Sequence, residues 1–248
     1  MHTRILIGSS LLLAACLLAT RPAFGAGEAN LGWNDCVSGG GLAADAIDCT
    51  SNSGLLSLVV SFRPGAQLDS MVAVSGAIIL ITDQSPMPPW WHYETGGCRS
   101  TSMSISFDFT SGFSGCYDLW FGQAQGGYQY SPGYPFGPNV AQLKFIAGVP
   151  NPTRLVASPQ TEYSAAIIRI NRLKSTGTGS CAGCDAQVCL YLPSLRLSEP
   201  PPSQDQILQD TGTHEFVTLN YVNGGAPACP GAVPTRRATW GAVKALYR

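Results

Sequence analysis

The chain has 248 residues, enough for one or two domains. Only 12% are charged, against a usual share of about 25%, and the formal net charge is −1. This balance excludes a highly charged disordered chain. With no basic stripe it also excludes a nucleic-acid binder, the Arg236-Arg237 pair reading as a solvated turn.

Residues 1–25 read as an export signal. Arg4 supplies the positive start, 5–19 is apolar, and Ala23 and Gly25 stand at the −3 and −1 positions of a cleavage site. The apolar run is shorter than the roughly 20 residues of a membrane-spanning helix. The alternative is a lipoprotein, because Leu13-Ala14-Ala15-Cys16 has lipobox character. Leu17 and Leu18 prolong the apolar run where a lipoprotein turns polar, so cleavage after Gly25 is preferred. Either outcome places residues 26–248, read as a single domain, outside the cytoplasm, secreted or associated with the cell envelope.

Downstream, residues 26–53 are rich in Gly and Asp and read as a looped lead-in carrying Trp33. Strand alternation begins at 55–62, where Leu56, Leu58, Val60 and Phe62 share a face. The apolar run 71–82 is one bulged strand or two short ones, broken at Ser75-Gly76. Met103, Ile105, Phe107 and Phe109 alternate with Ser104, Ser106 and Asp108, which describes a half-buried strand over 103–109. Residues 111–138 read mainly as loop. Further strands are expected at 140–147, 154–157, 163–173, 188–197 (bent at Pro193) and 216–222. Thr239 is placed to cap a short helix, giving a C-terminal docking element over 239–247 with Trp240, Val243 and Tyr247 on one stripe. Many short strands with turns rich in Gly and Pro predict an all-β, antiparallel β-sandwich, jelly-roll or immunoglobulin-like, with this helix docked on it.

Cysteine usage agrees with export. Outside the signal stand Cys36, Cys49, Cys98, Cys116, Cys181, Cys184, Cys189 and Cys229, an even set that reads as a disulfide framework. Spacing favours two local bridges, Cys36–Cys49 and Cys98–Cys116, with the remaining four pairing among themselves and Cys229 pinning the C-terminal segment. Cys181-Ala182-Gly183-Cys184 also has zinc and redox spacing. Outside the signal the histidines are His92 and His214, neither close in sequence to that run, so structural bridges are preferred and no metal or other cofactor is expected.

Several short motifs are similar to those of exported bacterial proteins of unknown function. They are the tail Thr239-Trp240-Gly241-Ala242-Val243-Lys244-Ala245-Leu246-Tyr247-Arg248, the Cys181, Cys184 and Cys189 run, Trp33-Asn34-Asp35-Cys36, and Pro89-Trp90-Trp91. The resemblance implies an exported bacterial protein and no mechanism.

More than half of the aromatic residues fall within 90–136. Exposed Trp and Tyr stack on sugar rings or anchor proteins. Trp90, Trp91, Tyr93, Trp120, Tyr128, Tyr130 and Tyr134 are therefore the candidate ligand-binding residues, with Gln123, Gln125 and Gln129 supplying amides. Adjacent residues of an extended segment point to opposite sides, so one of Trp90 and Trp91 is expected to be buried and the other more exposed. The principal expectation is an exported non-catalytic binding or structural module whose partner is a glycan or a protein. The alternative is a small polysaccharide hydrolase using paired carboxylates among Asp83, Glu94, Asp108 and Asp118. No nucleophile-elbow motif G-x-S-x-G is present, and no catalytic residue is assigned.

Overall fold

A computed structural model describes residues 27–110, 115–133, 137–151, 153–201, 203, 205–209 and 214–221. The signal segment with Cys16, Tyr134, Cys229 and the helix expected over 239–247 lie outside the described residues. Those described form fourteen strands and two single-turn 3-10 helices, an all-β architecture.

The first sheet has four antiparallel strands. In spatial order they are β1 (Glu28–Trp33), β3 (Leu55–Arg63), β10 (Tyr163–Asn171) and β6 (Met103–Ser106). The second sheet is built on β5 (Ala73–Thr82), the longest strand. Along its whole length β5 pairs with β8 (Val140–Gly148), and β8 in turn pairs with the edge strand β7 (Gln125–Pro132). The other side of β5 is shared. Its first half pairs with β12 (Ser194–Ser198), followed by β13 (Gln206–Gln209). Its second half pairs with β11 (Val188–Tyr191), followed by β14 (Phe216–Leu219) and the two-residue parallel strand β2 (Ala44–Asp45). The expected bend at Pro193 is this division, and proline's missing N–H suits the gap between β11 and β12. A small ribbon of β4 (Leu68–Met71) and β9 (Leu155–Ala157) completes the fold.

The two large sheets share one apolar core, which makes the protein a β-sandwich. Leu31, Leu58, Val60, Phe62, Ile168 and Ile170 come from the first sheet. Val74, Ile78, Leu143, Phe145, Leu195 and Val217 come from the second. Period-two alternation explains these choices, since residues named from the same strand lie an even number of positions apart.

Burial departs from simple alternation on β3 and β10. Val59, Ser61 and Ile167 stand on the opposite face of their strands from Leu58, Val60 and Ile168, yet each is completely buried. The cover comes from the chain around the 3-10 turn Val37–Gly39 and from the segment 115–120. Tyr117 N–H donates to the Glu162 carbonyl at 2.9 Å, and Ser38 donates to the Glu162 carboxylate from both its N–H and its hydroxyl. The two covering segments touch so closely that a Cβ on Gly115 would run into the Gly39 backbone. Asn30 and Ser61 also donate to Glu162, the latter at 2.5 Å. One carboxylate thus ties β1, β3 and the Val37–Gly39 turn to the chain entering β10.

Several sequence expectations change. The lead-in 26–53 contains β1, a full member of the first sheet, and the loop expected over 111–138 contains β7. The strand over 103–109 ends at Ser106, with Phe107 half-buried and Phe109 buried beyond it. Both local disulfides are replaced by long-range ones. Cys36 pairs with Cys116, Cys49 with Cys184 and Cys98 with Cys181, at Cα–Cα distances of 5.8, 5.9 and 6.1 Å. Cys189 is disulfide-bonded as well. The physical reason is topological, because the chain crosses repeatedly between sheets and loops far apart in sequence meet at the same end of the sandwich. Such bridges close loops of 80, 135 and 83 residues. In the chain-entropy account each removes about 4–5 kcal/mol of unfolded-state freedom, more than a short local bridge would.

Candidate binding face

The Trp and Tyr residues singled out by the sequence separate into an interior set and an edge set. Trp90 and Trp91 sit in a 3-10 turn, Pro89–Trp91, and both are completely buried. The expectation that one of them is exposed is thereby corrected: the turn is not extended, so neighbouring side chains do not point to opposite sides. Trp90 and Trp91 pack edge to face with ring centroids 4.8 Å apart, and Tyr93 stands against both. Their indole N–H groups donate inward, Trp90 to the Ser175 hydroxyl and Trp91 to the Gly183 carbonyl, each at 3.1 Å. Trp120 is equally buried and donates to the Ser164 carbonyl at 2.9 Å. Tyr93 is buried too, so Trp90, Trp91, Tyr93 and Trp120 are core residues, unavailable at the surface.

At the centre of this cluster is Arg99, a buried cation whose charge is met by rings and carbonyls. Its guanidinium carbon lies 3.3 Å from the Trp90 ring centroid and 5.3 Å from that of Tyr93. Its N–H groups donate to Leu173 O (3.0 Å), Trp90 O and the Tyr93 hydroxyl (3.3 Å each), and Asn171 O. Burial lowers the Arg99 pKa, an effect that Tyr93 partly offsets. Burial raises the Tyr93 pKa well above the ordinary phenol value.

The carboxylates of the hydrolase reading serve local main chain or close neighbours. Asp118 accepts the N–H groups of Trp120 and Gly122 at 2.9 and 3.0 Å. Asp108 accepts the N–H and hydroxyl of Thr110, bonds that hold its pKa below the usual carboxylate range. Asp83 accepts the Gln187 N–H at 3.1 Å, and Glu94 faces His92 Nδ1 at 2.8 Å. Among the described residues, three potential metal-binding groups cluster at Asp35, Cys36 and Cys116. Both sulfurs there belong to one disulfide, and Asp35 accepts the N–H of Cys36 and of Gly115. That donor set suits a pinned loop rather than a cation. Cys181 and Cys184 bond to different partners, so their C-x-x-C spacing does not close on itself.

What remains accessible of the expected set stands on β7. Tyr130 is half-buried and donates to the Trp91 carbonyl at 2.6 Å. Tyr128 is 45% exposed and donates from its hydroxyl to the Met103 carbonyl of the opposite sheet at 3.2 Å. Two exposed rings outside the expected set, Tyr117 and Phe121, flank the buried Trp120. Phe121 has φ 51°, a left-handed backbone uncommon for a bulky residue. Its sequence signal is the Asp118-Leu119-Trp120-Phe121-Gly122 turn, in which the Asp caps and one aromatic anchors.

Beside β7, on the outer face of the second sheet, lies a shallow depression of about 540 Å³. Strand register explains it. Gly127, Ile146, Ser75, Arg196 and Ile207 stand opposite one another across β7, β8, β5, β12 and β13. Gln129, Lys144 and Ala77 form the next row. Small side chains on β5 therefore make a floor between larger ones on its neighbours. Ile146 and Ile207 are 56% and 58% exposed. Arg196 pairs with Asp205 through Nε at 2.5 Å and through Nη2. No carboxylate lines the depression itself. Composition and periodicity had not marked this face, because its residues are distributed over five strands.

No family model and no curated protein sequence matches the chain. Among solved structures, a type II cohesin domain from the cellulosome of Acetivibrio cellulolyticus aligns over 78% of this chain and 95% of its own, at 6% identity and a TM-score of 0.28. A likeness at that level carries no functional argument. Among the described residues, no helix is long and apolar enough to cross a membrane.

Proposed function

We propose that this protein is an exported, non-catalytic binding module that recognises a protein partner through the outer face of its eight-stranded sheet. The carrying observation is the depression floored by Ser75, Ala77 and Gly127, with exposed Ile146 in its wall, Ile207 one strand beyond Arg196, and Lys144 and Arg196 at its sides. Exposed branched aliphatics around a floor of small side chains suit a protein surface carrying apolar side chains. Sugar rings stack on open aromatic faces, and the tryptophans expected to provide them are inside. Export is supported by the disulfide bridges, which persist in oxidising compartments.

The test is site-specific photocrosslinking in cells. A photoreactive residue at Ala77 is compared with one at exposed Leu173, which does not line the depression. A discrete protein adduct from Ala77 alone, lost when Ile146→Asp is added, supports the proposal. The absence of an adduct, or equal adducts from both positions, overturns it. A glycan-array signal from the parent that Ile146→Asp abolishes replaces the protein partner with a glycan.

A further inference from the structure

The outer edge of β7 carries an inference independent of the depression. Gly133 N–H donates to the carbonyl of Val140 at 2.7 Å, and the two residues stand opposite each other by the β7–β8 register. In an antiparallel ladder hydrogen-bonded pairs recur every second residue. Ser131, Gln129, Gly127 and Gln125 therefore bond to β8, while the main-chain groups of Gly126, Tyr128 and Tyr130 turn away from it. The neighbouring ladder agrees: Thr82 N–H donates to Asn139 O at 3.0 Å, which assigns the odd-numbered residues of β8 to β5. Among the described residues β7 pairs with β8 alone, so this row of donors and acceptors faces no strand.

Open edges are ordinarily protected by charges, bulges, prolines or brevity. β7 is eight residues long and its register runs from Gln125 to Pro132 without a shift. Its first five residues are exposed. No Asp, Glu, Lys, Arg or His occurs between Leu119 and Leu143. Pro132 blunts one end only.

We infer that β7 is a self-pairing edge that joins two copies of this chain into a twofold dimer with one continuous sheet. The argument for a second copy is self-complementarity. About a twofold axis at Tyr128, Gly126 faces Tyr130 of the second copy and Tyr128 faces Tyr128 of the second copy. The outward main-chain groups of Gly126, Tyr128 and Tyr130 then each meet a complement, and no like charges are brought together. Both outer faces fall on the same side of the joined sheet. The two depressions then form a bivalent surface suited to a repetitive or dimeric partner.

Sedimentation velocity on the disulfide-bonded protein, from micromolar to submillimolar concentration, tests this with a charge swap at the axis. The parent dimerises. Tyr128→Lys and Tyr128→Glu are each monomeric at concentrations where the parent is dimeric, and an equimolar mixture of the two restores the dimer. Gln129→Lys, which retains the Tyr128 hydroxyl bond to Met103, weakens the dimer at least tenfold and controls for misfolding. A parent that stays monomeric throughout, variants that dimerise like the parent, or a mixture that stays monomeric overturns the inference.

Discussion

The guanidinium carbon of Arg99 lies over Trp90, 3.3 Å from the ring centroid, with no carboxylate among its hydrogen-bond partners. A cation taken out of water is tolerable only when its nitrogens are hydrogen-bonded and its charge is met. Here carbonyls from 90, 171 and 173 and the Tyr93 hydroxyl take the donors, and the ring quadrupole takes the charge. The aromatic cluster is therefore a fastener between the Pro89–Trp91 turn and the chain that leaves β10.

Arg99→Met follows from this arrangement as a strongly destabilising change. It removes the stacked cation and leaves buried carbonyls without donors, a loss of about 3 kcal/mol or more in denaturant unfolding. Arg99→Lys retains the charge without the planar fork and recovers only part of that loss. Equal stability of Arg99→Met and the parent would contradict the fastener.

At alkaline pH the same cluster has a signature. Burial raises the pKa of Tyr93, and it raises that of Tyr130 with smaller additions from Tyr93 and Glu94. A raised folded-state pKa means stability that is complete below the unfolded value of about 10 and lost as pH rises above it. Tyrosinate absorbance should therefore show two phenols that ionise only with unfolding, and Tyr93→Phe should remove one of them.

Glu162 gives the opposite dependence. Burial by itself raises its pKa, but the bonds from Ser38, Ser61 and Asn30 outweigh burial and hold it below the usual carboxylate range. Its contribution is thus complete above the unfolded value of about 4.3 and disappears as pH falls through the lower folded value. Glu162→Gln should be less stable at neutral pH and should lose less on acidification than the parent. Unfolding free energies between pH 3 and 7 measure the difference, and parallel curves would exclude the role.

Peptide mapping without reduction tests the disulfide framework directly. The expected linked peptides contain Cys36 with Cys116, Cys49 with Cys184 and Cys98 with Cys181. Recovery of Cys36 with Cys49, or of Cys98 with Cys116, would overturn this pairing and the close approach of Gly115 to Gly39.

Strand alternation was readable wherever one face of a strand is wet, as at Leu143 to Ala147, where exposed Lys144 and Ile146 separate the buried residues, because period two is a local property of the chain. It failed at Ile167 and Ser61, whose second face is covered by segments more than twenty residues away in sequence. It missed β7, where Gly126 and Gly127 interrupt the pattern and the strand is held by its register with β8. Cysteine count and export context were enough to establish a disulfide framework, whereas its connectivity depended on which loops the sandwich brings together. Aromatic density identified the place where the chain is most heavily packed, but side-chain chemistry is the same for a core Trp and a surface one. Burial of Trp90, Trp91 and Trp120, and the gathering of Ser75, Ala77, Ile146 and Arg196 on one face, were decided by tertiary packing, since both depend on neighbours supplied by other strands.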